Sequence, residues 1–154
     1  MKLIRYGDQG AERPATMQSG SDVVLDARPV TSDFDQQFFE SGGLDRLAAA
    51  VATGELDEID IGGQRIGAPM KRPGKIVCIG LNYRNHALEA GLPIPDEPII
   101  FMKAPNTLVG PTDDVRIPHR SVKTDWEVEL AVVIGRHASY IDNPADALDY
   151  VAGY

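Results

Sequence analysis

The sequence predicts an α+β protein, rich in strand and built in two parts. Three observations carry that reading. Residues 1 to about 70 break into short strand and helix signals punctuated by glycine. The segment Pro69-Met-Lys-Arg-Pro-Gly74 has the composition of a linker. Beyond it, the run from Glu127 to Ile134 has the β-branched, apolar character of a strand, stopped by Gly135. The expected domains are a small N-terminal accessory domain, residues 1–70, and a strand-rich second domain over residues 71–154.

Met1–Tyr6 is read as a short strand, with Gly7-Asp-Gln-Gly10 as a turn, and Val23–Asp26 as a second strand. Ser32 or Asp33 is placed to cap a helical turn from Phe34 to Phe39, which Gly42 and Gly43 break. Leu44 to Thr53 follows as a helix with Leu44, Leu47, Ala48 and Val51 on one stripe, ended by Gly54. Glu58–Ile61 and Arg65–Ile66 flank Gly62-Gly63 and suggest a hairpin. In the second part, Lys75–Ile79 reads as a strand of buried type. Asn82 can cap a short helix from Tyr83 to Ala90, closed by Gly91. A proline-rich loop leads to the strand Ile99–Lys103, a turn-rich connection, a short strand Val115–Ile117 and the Glu127 strand. Asp142 or Asn143 caps a final helix from Pro144 to about Val151.

Composition excludes several classes. The 154 residues carry a net charge of −8, which disfavours nucleic acid and anionic membrane as partners. No apolar run approaches the roughly 20 residues of a membrane span, and Met1–Gly7 has no apolar secretory core. The one cysteine, Cys78, lies in an apolar run and is expected to be a small core residue in a reducing compartment. A cytoplasmic location is expected.

Two patterns carry chemistry. On a strand, Glu127 and Glu129 share a face with Cα atoms roughly 6.5–7 Å apart. Two ionised carboxylates that converge in a pocket repel unless a cation joins them, and oxygen-only donors favour a hard divalent ion. The plainer reading is the wet face of an amphipathic strand. On the expected helix, His86 and Glu89 lie three apart on one face, where the carboxylate can orient the imidazole for proton transfer. The alternative is an exposed surface pair. Lys103 ends an apolar strand, so it can meet an anionic group or extend to solvent. Tyr83 and Arg84 have the same two readings. Phosphate-loop, dinucleotide-loop, nucleophile-elbow and Cys-x-x-Cys motifs are absent.

Three stretches taken in order carry a resemblance. They are Lys75-Ile-Val-Cys-Ile-Gly-Leu-Asn-Tyr-Arg-Asn-His-Ala-Leu-Glu89, Pro98-Ile-Ile-Phe-Met-Lys103 and Asp125-Trp-Glu-Val-Glu-Leu-Ala-Val-Val-Ile-Gly135. Together they resemble the fumarylacetoacetate hydrolase family, and the start, Met1–Gly7, is similar to its bacterial two-domain members. The resemblance implies a catalytic domain on a rolled mixed β-sheet, in a homodimer that binds Mg²⁺ or Mn²⁺. It places metal ligands at Glu127 and Glu129, a catalytic dyad at His86 and Glu89, and substrate contacts at Tyr83, Arg84 and Lys103. The implied activity is cleavage of a carbon–carbon bond in a small oxo acid, an acylpyruvate or a 1,3-diketo acid. Ureidoglycolate lyase is the enzyme alternative, and a non-catalytic chain associating through open sheet edges is the other. The family's third metal ligand, an Asp in an Asn-Asp-x-Ser motif, would follow the segment that ends at Tyr154. The sequence is therefore expected to hold the start of a catalytic domain and to be inactive by itself.

Overall fold

The computed structural model describes residues 1–154, in two compact units: Met1–Lys71 with Val109–Tyr154, and Arg72–Leu108. The first unit is built on an antiparallel sheet of order β1-β2-β3, comprising β1 (Lys2–Tyr6), β2 (Arg13–Met17) and β3 (Val24–Asp26). Leu3 pairs with Thr16 and Thr16 with Leu25, while Ile4 pairs with Ala15. Strand β2 was not among the expected elements. Alternation marks a strand only when one face is wet, and here Pro14, Ala15 and Thr16 are all buried.

Each face of the sheet has its own core. On one, Leu3 and Leu25 pack against Phe34, Phe38, Leu47, Ala50 and Leu56. These come largely from α1 (Gln36–Glu40) and α2 (Gly43–Thr53). On the other, Ile4, Tyr6, Ala15, Met17 and Val24 meet Ile59, Ile61 and Ile66. The expected hairpin around Gly62-Gly63 does not form. Its flanks bridge outward instead, Ile66 to Tyr6 and Glu58 to Leu25, where they cover the sheet.

Local details also shift. Asp35, not Ser32 or Asp33, caps α1, accepting the Phe38 N–H at 3.0 Å. Asp33 instead turns to a buried arginine, Arg5. In α2 the buried stripe runs through Leu47 and Ala50, while Ala48 is exposed. Gly43 opens α2 so close to the Phe38 ring and carbonyl that a Cβ has no room. Gly43→Ala is expected to destabilise the protein by about 1–3 kcal/mol, the usual cost of overpacking. The urea midpoint of the variant measures it, and an unchanged midpoint would show that α1 and α2 slide apart freely.

The second unit holds the antiparallel pair β4 (Ile76–Gly80) and β5 (Ile99–Lys103), with α3 (Arg84–Glu89) in the connection. Cys78 is half-buried and its thiol is free, so it is not the enclosed core residue expected. After Val109 the chain rejoins the first unit. Val133–Ile134 (β6) pairs antiparallel with Val151–Gly153 (β7), and the 3-10 helix Pro144–Tyr150, capped by Asn143, lies between them. The expected α-helix from Pro144 is thus a tighter turn that hands Val151 to a strand. Val115–Ile117 forms no strand, and Val115 is 74% exposed. No helix is long and apolar enough to cross a membrane.

Candidate active site

The β4–α3 turn and helix α3 carry four of the seven expected site residues: Tyr83, Arg84, His86 and Glu89. Leu81 makes the bend with φ of 51°. The left-handed region is costly for a branched side chain, so this turn is held by its surroundings and not by preference. Tyr83, not Asn82, is the N-terminal flanking residue of α3, and its carbonyl accepts the Ala87 N–H at 3.2 Å. Gly91, at φ of 66°, closes the helix as expected, its N–H donating to Leu88 O. Ala87 is fully buried and anchors the helix, while Tyr83, Arg84, His86 and Glu89 are exposed. His86 and Glu89 stand one turn apart on this short helix with their side chains open to a ligand.

Lys103 pairs with Ile76, whereas the turn into α3 leaves the sheet at Gly80, opposite Ile99. Lys103 therefore sits at the far end of the two-stranded ladder from the turn, roughly 13 Å along it at the usual rise. The hairpin itself does not bring Lys103 beside Tyr83 and Arg84.

Glu127 and Glu129 lie in a run with no strand pairing, and both are exposed. The strand expected from Glu127 to Ile134 is realised only at Val133–Ile134. The physical reason is that a strand has no hydrogen bonds of its own and exists only against a partner. In this chain β7 pairs with the last two residues alone. Val128 and Leu130, alternating with the two glutamates, are 69% and 70% exposed. Their apolar face has nothing to pack on here.

The donor chemistry of Glu127 and Glu129 suits a hard divalent cation, since both offer carboxylate oxygen. No group of three or more His, Cys, Asp or Glu side chains gathers to complete such a site.

The concentrated electrostatics lie elsewhere, at a cluster that the sequence reading missed. Arg5, 7% exposed, donates to both oxygens of Asp33 at 2.6 and 3.1 Å and to Glu12 at 3.2 Å. Arg65 donates to the other Glu12 oxygen at 2.9 Å and grips Asp113 at 2.7 and 2.5 Å. Burial pushes the Glu12 carboxyl up, but hydrogen bonds from Arg65 and Gly10 and the field of Arg5 outweigh it, leaving Glu12 below its ordinary value. Asp113 is lowered by its bonds from Arg65 and then from the Gly110 N–H. Arg65 is raised in turn by Asp113 and Glu12. The one signal in the sequence was the charge at position 5, set between Ile4 and Tyr6 in β1.

Both the sequence and the fold can be matched to known proteins. Residues 75–154 match the family described as fumarylacetoacetate (FAA) hydrolase, C-terminal. The chain belongs to that family. A Burkholderia ambifaria protein provisionally named a hydrolase is 46% identical over 154 residues, covering 100% of this chain and 53% of its own. A Burkholderia multivorans relative, also provisionally named a hydrolase, is 45% identical over 158 residues with the same coverage. The chain thus spans about half the length of the curated relatives it matches. Among solved structures, a provisionally assigned HpcE protein from Mycobacterium smegmatis superposes with a TM-score of 0.79 at 32% identity. That match covers 99% of this chain and 52% of the other. Fumarylacetoacetate hydrolase from the psychrophile Exiguobacterium antarcticum gives 0.73 at 27% identity, covering 100% and 53%. Over the half of those proteins that it spans, this chain therefore has the fumarylacetoacetate hydrolase fold.

Proposed function

We propose that the chain contributes to a divalent-metal-dependent hydrolase or lyase that cleaves a carbon–carbon bond in a small 2-oxo or 1,3-dioxo acid. The observation that carries this reading is that the dyad, the lysine and the glutamate pair all fall inside the family segment 75–154. Glu127 and Glu129 would hold Mg²⁺ or Mn²⁺, which when bound polarises the oxygens of an oxo acid. His86, exposed on α3 one turn from Glu89, would move the proton at the scissile carbon or activate water. Tyr83, Arg84 and Lys103 offer a phenol and two cations to an anionic substrate. A cytoplasmic homodimer is the setting this reading adopts.

A second reading, association without catalysis, draws on the exposure of Val77, Ile100 and Met102 across β4 and β5. The two separate in an assay of the whole protein on an acylpyruvate and, in parallel, on ureidoglycolate, each with millimolar Mg²⁺ or Mn²⁺ and with EDTA. Metal-dependent loss of the acylpyruvate chromophore is the expected result. Turnover of ureidoglycolate alone would reassign the substrate. No turnover of either would overturn the catalytic reading in favour of association.

A further inference from the structure

Residues 72–108 leave the first unit after Lys71 and return to it at Val109. They carry β4, α3 and β5. In the first unit, the chain on both sides of this excursion is fastened to one set of charged side chains. On the outgoing side, Arg5 Nη1 donates to the carbonyls of Ala68 and Met70 at 3.4 and 3.5 Å. The Lys71 N–H donates to Phe34 O at 2.8 Å, next to the Asp33 that holds Arg5. On the returning side, Asp113 takes both Arg65 and the Gly110 N–H, the latter at 2.6 Å. Gly110 is buried so close to the Ile66 carbonyl and Gly67 Cα that no Cβ fits there.

Glu12 joins the two sides. One of its oxygens meets Arg5 and the other meets Arg65, and its side chain is 8% exposed. We propose that Glu12, with Arg5 and Arg65, forms an ionic clasp that ties both ends of the 72–108 excursion to one platform, so that neither end is released without loosening the other. Such coupling follows from the physics of a part-buried network. Each charge is compensated only while its partner stays in place, so removing one leaves another desolvated and uncompensated. Holding both ends also removes the freedom of a long loop, as a covalent closure would.

Hydrogen exchange of the whole protein tests the coupling. Glu12→Gln keeps the shape and removes the charge at the junction. We expect exchange in peptides covering 66–72 and 108–114 to rise together by about tenfold, as befits loss of one charged hydrogen bond. Amides within β1 and β2 should keep their protection. Asp113→Asn, at the more accessible edge of the network, provides the same test should the Glu12 variant fail to fold. It removes charge from the returning side only, yet the outgoing peptide 66–72 should also exchange faster. A rise confined to one peptide would overturn the clasp, because the two fastenings would then be independent. A uniform rise across all amides, or none at all, would overturn it equally.

Discussion

Replacing Glu127 or Glu129 by alanine in the whole protein is expected to abolish the metal-dependent part of turnover. Both residues offer only carboxylate oxygen, and a hard divalent ion held by few protein ligands loses much of its affinity with each one removed. Outer partners of metal ligands already matter by about 10–100-fold, so loss of a direct ligand should exceed about 100-fold. The fold should be nearly indifferent. Both residues are exposed, in a segment outside either core cluster, and surface substitutions of that kind usually change stability by about 0.5 kcal/mol or less. Titration of activity with Mg²⁺ and Mn²⁺, alongside a urea transition, separates the two effects. Full activity in both variants at subsaturating metal would remove these residues from the metal site.

His86→Ala should lower kcat by roughly 10²–10⁴-fold, the usual contribution of a positioned acid or base. The metal concentration giving half-maximal activity should stay where it was, because in the proposed mechanism the imidazole would serve the proton and not the ion. The variant is expected to fold. His86 is exposed, helix α3 is anchored by the fully buried Ala87, and the His86 carbonyl keeps its bond from the Ala90 N–H at 3.0 Å. Glu89→Gln should shift kcat in the same direction by a smaller factor if it orients the ring, and its pH profile should move with it. An unchanged kcat in His86→Ala would leave the metal site standing and take the histidine out of the mechanism.

Much of this molecule was legible one element at a time. Helices α2 and α3 end at Gly54 and Gly91, both in the left-handed conformation that glycine adopts most readily. The apolar runs of β4 and β5 sit within a residue of their expected limits, and the Asn143 cap falls where Asn-Pro indicated it. These features depend on neighbours in sequence, so the sequence determines them. The three motifs that place the chain in its family are likewise patterns of residue type and order, and they need no coordinates.

What tertiary structure decided is whatever depends on distant partners. Glu127–Val132 has the composition of a strand, but pairing makes a strand, and β7 reaches only Val133 and Ile134. Strand β2 was invisible for the opposite reason, since partners on both faces erased its alternation. Ile66 and Glu58 each found a sheet neighbour farther off than the one across Gly62-Gly63. Arg5 meets Asp33 across 28 positions, and Arg65 meets Glu12 across 53 and Asp113 across 48. No local pattern announces such pairs. Charges compensate one another through space, and only the folded backbone determines which of them meet.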